Sequence, residues 1–176
     1  SAMTGGILHI ANHAFAKITL FFCAGAIYVA SKRSKVSELD GIGRKMPWTM
    51  AAFAIATLSM VGVPPVSGFL SKWYLALGAI EANEIPVLFV LLVSGLLNAA
   101  YFIPIVHRAF FKTPKAVNLN LAIAGDKDGG LQEGHPDTIQ EASKFILVPL
   151  CVTAAISVLL GIFPNLLLDL IKQVIG

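Results

Sequence analysis

Apolar positions in this chain gather into long runs, several of which approach the ~20 residues needed to cross ~30 Å of hydrocarbon. Residues 5–30 (GGILHIANHAFAKITLFFCAGAIYVA) predict the first span, and a basic segment, SKRSKVSELDGIGRKM, follows it. Met46-Pro47 opens the second run, PWTMAAFAIATLSMVGV over residues 47–63, because proline is favoured in a first helical turn. Pro64 and Pro65 end it: neither has an N–H, and Pro65 disfavours the α conformation at Pro64. The next run, GFLSKWYLALGAIEAN over residues 68–83, is short for a span and reads as half of a discontinuous element. Residues 86–111 predict a full span with a small-residue face at Ser94, Gly95, Asn98 and Ala99. A polar, Gly-rich and acidic loop covers residues 112–144, a last span covers 145–163, and residues 164–176 predict a short amphipathic helix. In that helix Leu166, Leu167, Leu170, Ile171 and Val174 share one face, suited to a membrane surface or a partner subunit. The predicted class is all-α and integral to the membrane: four to five transmembrane helices, one of them discontinuous.

Composition agrees. The 176 residues are 56% hydrophobic and 13% charged, against about 25% charged in soluble domains, and the mean hydropathy is +0.78. The net charge of +3 comes from loops and helix ends, which disfavours nucleic acid as a partner and favours the lipid bilayer. Counting Lys and Arg places the loop after the first span on the cytoplasmic side. Cys23 and Cys151 lie within apolar runs, as packing residues do. The first apolar run begins almost at residue 1, with no initiating Met and no basic leader, so the chain is expected to be part of a longer subunit.

Two constellations carry chemistry. His9, His13 and Lys17 are spaced i, i+4, i+8, a ladder along one helix face of about 12 Å. Titratable groups at that spacing are what a proton relay requires. An ionised lysine at the bilayer centre costs ~2.5–3.5 kcal/mol, so the ladder is expected to face protein or water. Alternatively Lys17 snorkels to the interface and the histidines bond a neighbouring helix. Two histidines at i, i+4 can also bind zinc, yet no third ligand or HExxH glutamate accompanies them, and no metal is expected. Lys72 is the second candidate. It stands one turn past Gly68, beyond the Pro64-Pro65 break, and non-helical backbone at membrane depth is tolerated only where protein or a water-filled cavity covers it. The plain alternative is a loop with Lys72 at the water interface. Further on, His107 and Arg108 read as headgroup anchors, Asn98 as interhelical glue, and Glu81 and Glu84 as flanks of a surface turn, while His135 has no visible partner.

HIANHAFAKITLFFCAGAI, followed by GIGRKMPWTMAAFAIATLSMVGVPPVSGFLSKWYL, resembles the proton-translocating antiporter-type membrane subunits. That family includes the D-type subunits of the multisubunit monovalent cation/proton (Mrp-type) antiporters and the large membrane subunits of respiratory complex I and of membrane-bound hydrogenases. The resemblance covers about residues 4–111. It implies a location in the cell (inner or plasma) membrane, partner subunits, and protons carried along buried lysines, histidines and a glutamate in two inverted repeats. His9, His13 and Lys17 then match the relay between the halves, and Lys72 the terminal lysine. The glutamate and lysine of the first repeat have no counterpart here, so this chain resembles the C-terminal part of such a subunit. Trp73-Tyr74 and the run LLNAAYFIPIVHRAFF favour the Mrp-type subunit over complex I. No quinone, flavin or iron–sulfur ligand set is present, so no cofactor is expected. A purely structural membrane subunit is the other class that these residues allow.

Overall fold

A computed structural model describes residues 1–32, 35–113 and 140–175. His135 and most of the expected 112–144 loop lie outside the described residues. Among the described residues there are six helices: α1 (Ala2–Ser31), α2 (Pro47–Val61), α3 (Ser67–Glu81), α4 (Ile85–Phe111), α5 (Lys144–Ile162) and α6 (Asn165–Ile175), with single 3₁₀ turns at Val36–Glu38 and Ile42–Arg44. Among the described residues there is no strand. Three of the described helices, α1, α4 and α5, are long and apolar enough to cross a membrane, and α2 is a shorter apolar helix.

Helices α2 and α3 act together. Each has 15 residues, about 22 Å at 1.5 Å per residue, so neither spans alone, whereas their sum matches the ~45 Å of α1. They run one after the other along α1 in the opposite direction: Cys23 meets Thr49, Asn12 meets Ser67, His9 meets Ser71, and Gly5 meets Leu75. This pair, α2 and α3, is therefore one span broken at residues 62–66. The buried stripe of α1 is built of small or compact residues, among them Gly5, Asn12, Ala16, Thr19, Cys23 and Ala26. Such residues let helices approach closely where lipid offers no hydrophobic drive for association.

Helix α5 packs against α1 and against both sides of the break. Thr19 Oγ1 donates to Thr153 Oγ1 at 2.8 Å, and Ser157 Oγ donates to Ser59 Oγ at 3.2 Å and lies 3.3 Å from Ser67 Oγ. The main cluster of apolar side chains, with Met50, Phe53, Ile105, Ala109 and Leu150 at its centre, sits between α1, α2, α4 and α5. Cys23 is buried there, its thiol donating to the Thr49 carbonyl at 3.4 Å, and Cys151 is half-buried; both cysteines are free. Helix α6 folds back on α1. Leu168 and Ile171 bury against Leu8, while Leu170, placed on the apolar face by its sequence spacing, is 55% exposed. The packed stripe is rotated from the expected one because the contact is with α1 and α3 of this same chain, through Leu8, Leu70 and Tyr74.

Candidate proton-transfer site

In an α-helix the carbonyl of residue i accepts from the N–H of residue i+4. For Met60 and Val61 those positions are Pro64 and Pro65, which have no N–H to give. Helix α2 stops at Gly62, with φ of +87°, and Val63 N–H reaches back to the Leu58 carbonyl at 3.0 Å, closing a Schellman-type end. The two carbonyls orphaned by the prolines are taken by one side chain. Lys72 Nζ donates to Met60 O at 2.8 Å and to Val61 O at 2.9 Å. The ammonium thus sits at the negative end of the α2 dipole. Gly68 makes the approach possible: a Cβ there would lie 1.8 Å from the Ser59 carbonyl oxygen. On the far side a methyl at Gly95 of α4 would stand 3.5 Å from Lys72 Nζ, so the lysine is enclosed by α2, α3 and α4.

One residue before the lysine, Ser71 is fully buried and links it to α1. Its hydroxyl donates to the Gly68 carbonyl at 3.1 Å and lies 3.2 Å from His9 Nδ1. With the serine proton given to Gly68, the Ser71 oxygen is left to accept from His9 Nδ1–H. The His9 and His13 ring centroids are 5.1 Å apart. Asn12, only 2% exposed, donates from Nδ2 to the Ser67 carbonyl at 2.9 Å, tying α1 to the start of α3. A cavity of about 10 Å³ opens among His9, Asn12, His13, Ser59, Met60 and Ser71.

The match to known proteins follows this arrangement. The family model described as the transmembrane part of NADH:quinone oxidoreductase and Mrp antiporters matches residues 1–98. The chain belongs to that family. It is 47% identical over 111 residues to NADH-quinone oxidoreductase subunit N of Desulforudis audaxviator, covering 63% of this chain and 22% of the relative. It is 33% identical over 114 residues to the D-type subunit of the Na(+)/H(+) antiporter of Alkalihalophilus pseudofirmus, covering 65% and 23%. The Mrp complex of a Dietzia species has the same fold, with a TM-score of 0.78 at 24% identity over 96% of this chain and 36% of the other. The chain thus spans between a fifth and a quarter of the length of these two curated relatives. This is a membrane protein of the antiporter and complex I type, and its relatives are named as subunits of multisubunit complexes.

Within this antiporter-family chain the expected residues fall into two groups. His9, His13 and Lys72 are half-buried and gathered at the break formed by Pro64, Pro65 and Gly68. Lys17 stands apart. Each i+4 step drifts about 40° around a helix, so the ladder leaves the buried stripe, and Lys17 is exposed. It borders a larger groove of about 570 Å³ between α1, α2 and α4, lined also by Phe21, Met60, Tyr101 and Phe102. Met60 lies at the node: its side of α2 borders both the groove and the small cavity, and its carbonyl holds Lys72. Arg108, expected as an anchor, pairs with the buried Asp40 at 3.3 Å, and His107 stacks on Phe111. Asn98 is half-buried on α4. Glu81 and Glu84 flank the turn at Asn83, whose φ is +57°.

Sequence reasoning missed Asn12, Ser71, the Ser59–Ser157–Ser67 hydroxyls and Glu141. Glu141 accepts from the backbone N–H groups of Trp48 and Thr49 at 3.2 and 3.1 Å and from the Thr49 hydroxyl, capping α2 from outside the helix. Asn12 was open to discovery, since it shares the stripe of Leu8 and Ala16 one turn away on either side. Glu141 carried no local signal: its partner lies 92 residues away.

Proposed function

We propose that this chain carries protons through His9, His13, Lys17 and Lys72 within a multisubunit monovalent cation (sodium)/proton antiporter in the cell membrane. The observation that carries the reading is the lysine bound to both proline-orphaned carbonyls, with Ser71 beside it in contact with His9. A group held by two neutral acceptors and no carboxylate can exchange its proton without breaking an ion pair. His9 and His13 give that proton a neighbour on α1, and Lys17, at the groove on the other side of Met60, gives the relay a further station. In that subunit, assembled in its complex and reconstituted in vesicles, Lys72→Ala and Lys17→Ala are each expected to abolish ΔpH-driven cation exchange. Normal exchange in both single variants overturns the reading.

The 47% identity to a subunit N favours a second reading, a proton-pumping membrane subunit of an NADH:quinone oxidoreductase. The proton path is the same and only the energy source differs. Vesicles with the complete complex separate the two: NADH-dependent acidification supports the second reading, and sodium exchange without NADH supports the first.

A further inference from the structure

Asn12 Oδ1 has no hydrogen-bond partner within the protein although the residue is 2% exposed. A buried carbonyl of this kind costs about 1–3 kcal/mol if left unmet, so native proteins supply a partner. The amide nitrogen is already committed to Ser67 O, which fixes the side chain and leaves only Oδ1 to serve the space beside it. That space has about 10 Å³, the room that about one water requires, and a water needs two to four polar partners to stay. Its wall supplies them: Asn12, the two histidine rings and the Ser71 hydroxyl. Met60, whose carbonyl binds Lys72, also lines it.

We propose that Asn12 holds one water in this cavity, bridging the His9–His13 pair on α1 to Ser71 of α3, the residue beside Lys72, and that Asn12 is a positioning residue for proton transfer. The water donates to Asn12 Oδ1 and has a histidine nitrogen and the Ser71 oxygen as its remaining partners. The His9–Ser71 contact is direct, whereas His13 has no hydrogen bond to α3, and the bridging water supplies its connection. The role of Asn12 in transfer rests on the proton-carrying reading above; the water site itself rests on the cavity and the unmet oxygen.

The test is a map of the complete subunit in its complex at a resolution that shows ordered water. One density is expected within hydrogen-bond distance of Asn12 Oδ1 and of His13 or Ser71; a cavity without density, in a map that shows other buried waters, overturns the site. Asn12→Leu fills the cavity, and is expected to remove the density and slow ΔpH-driven exchange by up to about tenfold, the factor of one neutral hydrogen bond. Asn12→Asp keeps one oxygen for the water and, protonated, an O–H for Ser67, and is expected to restore most of the rate. Full-rate exchange in Asn12→Leu overturns the positioning role; if that variant does not assemble, an Asn12→Asp variant that assembles yet lacks the density overturns the site. Lys72→Ala separates the two readings: exchange retained with the density in place overturns proton carriage by Lys72 and leaves the water site standing.

Discussion

At the scale of single residues, the proline pair and the lysine solve one hydrogen-bonding problem between them. Two prolines remove two donors, and one ammonium with three hydrogens replaces both. The solution depends on Gly68, because any side chain there meets the Ser59 carbonyl. Gly68→Ala is expected to destabilise the protein by ~1–3 kcal/mol or more, read as a lower midpoint of thermal unfolding in detergent. The displaced α3 would also draw Lys72 off its carbonyls. Met60 makes a separate prediction. It lines both the histidine cavity and the Lys17 groove, so Met60→Ala is expected to join them and raise the passive proton leak of vesicles, with an unchanged leak counting against Met60 as a barrier between them. The pivotal residues were legible in the sequence because prolines and lysines are conspicuous in an apolar run. Asn12 and Ser71 were not, because a small polar residue in such a run reads the same whether it faces a cavity or a neighbouring backbone.

Among the elements, α2 shows how far local sequence reaches. Its start at Pro47 follows from the place of proline in a first helical turn, and it ends at Val61, two residues short of the run of 47–63 that the sequence marks before the double proline. What closes its first turn does not follow from local sequence. The free N–H groups of Trp48 and Thr49 are met by Glu141, a carboxylate at the positive end of the helix dipole, brought there by the packing of α5. Glu141→Ala is expected to cost ~0.5–2 kcal/mol, the usual loss of an N-terminal cap, measured by denaturant unfolding. Thr49→Val should lose the hydroxyl contact alone and cost less. The pairing of α2 with α3 as a single interrupted span was legible from their lengths, whereas the departure of Lys17 from the buried stripe was not. An i+4 ladder looks straight in a sequence and turns away from its neighbour by a third residue only once the packed stripe, here through Asn12 and Ala16, is known.

For the whole molecule, the broken span lies between α1 and α5, with α4 covering one side and α6 closing the end. The α6 contact is the most separable part. Leu168→Asp with Ile171→Asp is expected to release α6 from Leu8, raising hydrogen exchange over Asn165–Ile175 and leaving α1 and α2 protected. Unchanged exchange would mean that this packing contributes little. Helix α4 has the opposite character over its most apolar stretch, which has no residue buried against the chain, whereas Ile105 and Ala109 nearer its end join the core. The grip of Lys72 on α2 also has a time attached to it. A free side chain changes rotamer within about a nanosecond, but leaving two charge-assisted hydrogen bonds of ~1.5–3 kcal/mol each slows the swing by about 10²–10⁴. The lysine should therefore let go of α2 in about 0.1–10 μs. That is shorter than the millisecond of a fast turnover cycle, so under the proton-carrying proposal the release of this side chain does not set the pace.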